Sequence, residues 1–182
     1  MAEFFDHITE KHQAFIAAQP MFFIATACAE GRVNLSPKGM GCFRVTGPNQ
    51  FIYLDHTGSG NETAAHIKHN GRVTVMFNSY SRNPLILRLY GQGRVVRPDH
   101  PDFKDLMEGF EDCAGIRQII TVQVDSVQTS CGYAVPMMEL VGERDTLIRH
   151  NDRKGRAEIL DYQQKKNVTS IDGFDTGLND PV

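Results

Sequence analysis

The sequence predicts a mainly β protein, an antiparallel barrel of six or seven strands with helices confined to the start, middle and end of the chain. Three observations carry this. Apolar and polar residues alternate over short runs such as RVTVMF and LILRLYGQGRVV, which is the strand period. Turn signals such as Glu30-Gly31 and Gly47-Pro48-Asn49 separate neighbouring runs. Strands and helices do not alternate regularly, which argues against a parallel, doubly wound sheet.

Taken in order, Phe4, Phe5, Ile8, Phe15 and Ile16 recur at helical spacing and Pro20 ends the run, predicting a helix over about residues 3–18. MFFIATA begins a strand at Met21, and VNLSP resumes an extended path after Glu30-Gly31. CFRV and FIYLD read as a hairpin around Gly47-Pro48-Asn49. A short helix follows over Glu62–His69, stopped by Asn70-Gly71. Val73, Val75 and Phe77 share one face of the next strand. Leu85, Leu87 and Leu89 oppose Ile86, Arg88 and Tyr90 in the strand after it, where Gly91 and Gly93 suggest a bulge or a sharply coiled barrel strand. A helix over about Asp102–Phe110 separates this from a last strand, IITVQVDSV. The remainder reads as a helix near Arg153–Lys166 and a polar tail, TSIDGFDTGLNDPV, without regular structure unless a partner orders it. The expected division is a barrel domain over 1–150 and a C-terminal helix and tail over 151–182.

Composition narrows the function classes. The 182 residues are 41% hydrophobic and 23% charged, which excludes wholesale disorder. A net charge of −3 offers nothing global to nucleic acid or an anionic membrane, so any anion site must be local. Cys28, Cys42, Cys113 and Cys131 show neither zinc-knuckle nor C-x-x-C spacing. The start is too acidic for a signal peptide and no apolar run is long enough to span a bilayer. A reducing, cytoplasmic setting with mostly buried thiols is the expectation. His66 and His69 share a helix face at i, i+3 with His56 nearby, but no third ligand at metal spacing accompanies them, and no metal site is expected. Glu62 and His66 read as a surface pair.

The most informative segment is FIYLDHTGSGNETAAHI, residues 51–67. A strand ends at Asp55, a loop with Gly58 and Gly60 follows, and Ser59 or Asn61 is placed to cap the next helix. Such a loop can aim backbone N–H groups at a phosphate, with Thr57, Ser59 and Thr63 hydroxyls beside them, or it can simply turn the chain. It is neither a P-loop nor a dinucleotide fingerprint, because no Gly-Lys-Ser/Thr follows and Thr63 stands where a third glycine belongs. Lys38 lies in NLSPKG, where Pro37 points to a sheet edge; it is free to reach a ligand or to serve as a solvated edge lysine. Arg88 in an apolar strand and Arg117 near the last one each call for an anionic partner, from the protein or from a ligand. The apolar stretch SCGYAVPMMEL packs on its own barrel or meets another subunit.

In their order, NLSPKG, FIYLDHTGSGNETAAHIKHNGRVTVMF and LRLYGQGRVV resemble the pyridoxamine 5′-phosphate oxidase-like family of flavin-binding split barrels, over about Phe15 to Val127. The resemblance implies a homodimer holding FMN in clefts at the subunit interface. It implies that Asn34, Leu35, Ser36, Pro37 and Lys38 line the flavin ring and ribityl chain, and that Leu54 and Asp55 lie beneath the flavin. Thr57, Gly58, Ser59, Gly60 and Asn61 match the phosphate loop, Arg88 and Tyr90 the strand with further contacts, and Tyr133 a partner's contribution. Arg117 is a further candidate for the phosphate. Two departures stand out. The true oxidases carry two basic residues where this chain has Gly60 and Asn61, and they end in an arginine- and histidine-bearing segment that this tail lacks after Asp172. The expected function is therefore an FMN-dependent oxidoreductase with a small-molecule substrate other than pyridoxamine phosphate. The alternative is a non-catalytic binder of flavin, deazaflavin or haem, the last with His56, His66 or His69 as axial ligand.

Overall fold

The computed structural model describes residues 2–181. Its elements are β1 (Glu3–Phe5), α1 (Glu10–Ala17), β2 (Phe22–Thr26), β3 (Asn34–Lys38), β4 (Phe43–Gly47), β5 (Gln50–His56), α2 (Glu62–Asn70), β6 (Arg72–Asn78), β7 (Ile86–Val96), α3 (Phe103–Met107), β8 (Ile116–Ser130) and α4 (Thr146–Lys166). Seven strands form one antiparallel path, β3-β2-β6-β7-β8-β5-β4, and the short β1 adds to β8 beside that path.

The path curls on itself. Strands β2 and β4 lie five steps apart, about 24 Å in a flat sheet. Phe22 of β2 nevertheless meets Phe43 of β4 with ring centroids 5.2 Å apart. Phe51, Tyr53 and Phe77 surround Phe22 at 5.3 to 5.6 Å, and these rings fill the interior. The faces expected from alternation are the buried ones: Val73, Val75 and Phe77 in β6, Leu87 and Leu89 in β7. Both ends of the path, β3 and β4, remain edges, so the barrel is split rather than closed. Pro37, which cannot donate to a ladder, sits on edge strand β3 opposite Phe23.

Four details differ from the sequence expectations. The first helix begins at Glu10, not near residue 3, because Phe4 and Phe5 pair with Gln128 and Val127 of β8. Thr9 starts it with a reciprocal cap: its hydroxyl accepts the His12 N–H at 3.3 Å, and His12 Nδ1 accepts the Thr9 N–H at 3.2 Å. The last strand is longer, starting at Ile116, which puts Arg117 inside it. The C-terminal helix starts at Thr146 and breaks at Gly155, whose φ of 75° is left-handed. The tail is ordered. Ser170 and Thr176 are buried, Thr169 bridges Asp175, and Lys68 holds Asp175 and Asp180 at 2.6 Å each. Its polar residues, uninformative by periodicity, serve as hydrogen-bond partners for α2 and the loop before it.

Gly91 sits at the register shift between β7 and β8, where a Cβ would run into the Gln123 carbonyl. Gly58 has nothing within 4 Å of such a Cβ. Gly91→Ala is therefore expected to destabilise by about 3 kcal/mol, lowering Tm by roughly 6–12 °C, while Gly58→Ala shifts it by less than about 2 °C. Differential scanning calorimetry of the two variants checks this.

Candidate functional site

A cleft of about 850 Å³ opens where the ends of β3, β5 and β8 meet the loop before α2. Asn34, Ser36, Pro37 and Lys38 form one wall, Asp55, His56 and Arg117 the floor, and Gly58 to Thr63 the opposite wall. Lys166, Thr169, Ser170 and Ile171 from the C-terminal segment complete it.

The floor is organised by one buried carboxylate. Asp55 Oδ1 accepts from Lys38 Nζ at 2.9 Å, and Oδ2 accepts from Arg117 Nη2 at 2.8 Å, Arg117 Nε at 3.2 Å and Gln118 Nε2 at 2.9 Å. Two successive residues of β8 reach the same carboxylate because the ladder slips there: Asp55 pairs Gln118 but His56 pairs Ile116, leaving Arg117 as the extra residue of a bulge. Burial alone would push the Asp55 carboxyl up. The Arg117 guanidinium and the Lys38 ammonium outweigh it and hold the group well below the usual carboxylate range. Burial keeps neighbouring groups neutral, lowering His56 and raising Cys42 to about 12.

Arg117 also fixes the loop. Its Nη1 donates to the Gly60 carbonyl at 2.8 Å and to Asn167 Oδ1 at 2.7 Å. Asn167 Nδ2 in turn donates to the Gly58 carbonyl at 3.2 Å. Both glycine carbonyls are thus engaged, whereas the N–H groups of Gly58, Ser59, Gly60 and Asn61 have no protein acceptor among the described residues. Four successive free amide donors at the start of a nine-residue helix suit an anion. Asn61 does not cap α2 with its side chain. Its Oδ1 accepts from Gln118 Nε2 at 2.9 Å instead, which joins loop and floor.

The chain's relatives agree with this architecture. A family model described as pyridoxamine 5'-phosphate oxidase matches residues 8–131. The chain belongs to this family. Within it, the pyridoxamine 5'-phosphate oxidase family protein ustO of Aspergillus flavus is 34% identical over 192 aligned residues, covering 96% of this chain and 77% of that protein. Among solved structures, HupZ of Group A Streptococcus shares the fold with a TM-score of 0.53 at 22% identity, over 66% of this chain and 91% of that one. An FMN-binding protein from Syntrophomonas wolfei has a TM-score of 0.52 at 12% identity, over 72% of this chain and 88% of that one.

Not every residue suggested by the family resemblance reaches the cleft. Asn34, Ser36, Pro37, Lys38, Asp55, Gly58, Ser59, Gly60, Asn61 and Arg117 line it together. Leu35, on the same edge strand, is largely exposed. Leu54 belongs to a neighbouring pocket, and the buried Thr57 hydroxyl accepts from Gln163 Nε2 at 2.7 Å. Arg88 lies half-buried among the residues of β7 that alternate away from the core, its Nη1 donating to Ser130 Oγ at 3.3 Å, and it forms no ion pair among the described residues. Tyr90, two residues on, donates to Gln128 Oε1 at 2.9 Å, and Tyr133 is 82% exposed. Of the three histidines, only His56 lines the cleft. His66 is buried against Thr26 rather than paired with Glu62, whose carboxylate accepts the Ile171 N–H. Among the described residues no cluster of three or more His, Cys, Asp or Glu is placed to hold a metal ion, and no helix is long and apolar enough to cross a membrane. The contributions missed by sequence reasoning, Lys166, Asn167 and Ser170, come from more than a hundred residues beyond the loop.

Replacing Asp55 by Asn leaves two cations without their shared counter-charge. Urea unfolding at pH 7 is expected to show a loss of about 3–5 kcal/mol. The pH dependence has a definite sign: the folded carboxyl titrates below the unfolded value of about 3.9, so its stabilisation is complete above that pH and is lost as pH falls further. That part of the acid slope should be absent in Asp55→Asn.

Proposed function

We propose that the cleft binds FMN and that the chain is an FMN-dependent oxidoreductase acting as a homodimer on a small molecule other than pyridoxamine 5'-phosphate. The observation that carries this is the row of four free amide donors beside the Lys38–Asp55–Arg117 cluster, which has one net positive charge. A flavin with a terminal phosphate matches a cleft with an amide-lined end and a mixed polar wall, and the volume lies within the range of cofactor sites. The Syntrophomonas wolfei protein of the same fold, described as FMN-binding, supports the choice.

FMN, when bound, supplies hydride acceptance and donation. The chain supplies position and charge. The amides of Gly58 to Asn61 would hold the phosphate, with the Ser59 hydroxyl beside them. Lys38 spends one donor on Asp55, and its remaining N–H groups serve negative charge along the β3 wall. The Asn34 amide is held by Thr26 and Thr63 at 3.1 and 3.0 Å, so that wall is rigid before any ligand arrives. Residues 173–182 contain no arginine or histidine and so offer no cation to a second phosphate, and pyridoxamine phosphate is left out of the proposed substrate class.

The dimer rests on a second surface. Tyr133, Met137, Met138, Leu140 and Val141 follow β8 as one exposed apolar stretch. A second copy would cover this stretch and bring an anion or an acceptor to Arg88. The test has two arms. Titration of the purified protein with FMN is expected to give a two-banded visible spectrum saturating at one flavin per subunit; failure to take up FMN, or preferential uptake of deazaflavin or haem, would overturn the reading. A Met137→Asp, Val141→Asp double variant is expected to elute as a monomer in size-exclusion chromatography and to bind FMN at least about tenfold more weakly.

A further inference from the structure

The phosphate end of the cleft holds an imbalance that the loop does not resolve. Residues 57–63, TGSGNET, contain no Lys or Arg. Three cations line the cleft: Lys38, Arg117 and Lys166. Arg117 is buried and committed to four hydrogen bonds within the protein. Lys38 is paired with Asp55. Against these two cations stand two carboxylates on the same lining, Asp55 and Glu62, so without Lys166 the cleft is neutral. Lys166 makes the balance positive, and it forms no ion pair among the described residues, whereas its neighbour Lys165 is held by Asp161 at 2.6 Å.

Its backbone is fixed by the next residue. Asn167 is fully buried and donates to the Gly58 carbonyl, accepts from Arg117, and offers its own carbonyl to the Thr176 hydroxyl at 2.7 Å. These bonds tie the end of α4 to the amide-lined loop. Lys166 is therefore an exposed cation next to an anchored residue, lining the same cleft as the loop. The C-terminal end of a helix is also where a positive charge is favoured. The family model ends at residue 131, so this contribution comes from a part of the chain outside it.

We propose that Lys166 is the cation that neutralises the anionic end of the bound ligand, supplied to the loop by the C-terminal segment of the same chain. A charge-assisted contact of this kind is worth about tenfold or more in affinity. The inference rests on the FMN reading for the identity of the ligand, and the test separates the two. Kd for FMN and for riboflavin, which lacks the phosphate, is measured with the wild type, Lys166→Gln, Lys166→Arg and Lys165→Gln. Lys166→Gln is expected to weaken FMN about tenfold and leave riboflavin unchanged, Lys166→Arg to restore most of the loss, and Lys165→Gln to behave as wild type. Equal FMN affinity in Lys166→Gln and wild type, or an equal loss in Lys165→Gln, would overturn the role of Lys166. Binding of inorganic pyrophosphate is followed in the same variants. If the wild type ignores flavins but binds pyrophosphate in a Lys166-dependent way, the FMN reading fails and the anion contact stands. If it binds neither, both fail.

Discussion

A carboxylate sealed inside a protein is tolerated only with its charge matched, and Asp55 is buried with Lys38, Arg117 and Gln118 all donating to it. Its partners come from opposite sides of the split barrel, Lys38 from edge strand β3 and Arg117 from the bulged start of β8. Satisfying one buried charge therefore fixes the distance between two strands that share no ladder. Arg117 extends the constraint outward, through Gly60 and Asn167, to the loop before α2 and to the C-terminal segment. The cleft is the space left between elements that this network holds apart.

The network divides the loop's polar groups into two sets. Carbonyls at Gly58 and Gly60 face protein donors, while the amides from Gly58 to Asn61 have no protein acceptor among the described residues. Neutral donors fixed in advance need little reorganisation when an anion arrives, and in the proposed reading they would stand in for the basic pair that the family resemblance leads one to expect. The replacement of those residues by Gly60 and Asn61 thus has a structural counterpart. Asn61 links Gln118 to the loop, and Gly60 offers a carbonyl to Arg117.

Much of this was legible in the sequence. Alternation identified the buried faces of β6 and β7, Pro37 marked an edge strand, Asn70-Gly71 marked the end of α2, and Gly91 marked the bulge. NLSPKG and the loop within FIYLDHTGSGNETAAHI, the two segments whose residue types point to a ligand, line one cleft. What escaped notice depends on pairing rather than period. Phe4 and Phe5 carry helical spacing yet belong to a strand, because β8 offers them a ladder. The tail carries no periodic signal, since its order comes from individual polar bonds such as Thr176 to Asn167 and Lys68 to Asp175. Arg117 and Gln118 were visible as polar residues near a strand, but nothing in a linear sequence says that a bulge turns both onto one carboxylate.

The amide resonances of the loop offer the most direct view of the claim that backbone donors receive the phosphate. In proton–nitrogen correlation spectra recorded on titration with FMN and with riboflavin, the amides of Gly58, Ser59, Gly60 and Asn61 should show a downfield proton shift with FMN that riboflavin does not reproduce. If those four signals stay in place while others move, for instance on the outer face of β7 around Arg88, the anion is held elsewhere and the account of the cleft is wrong.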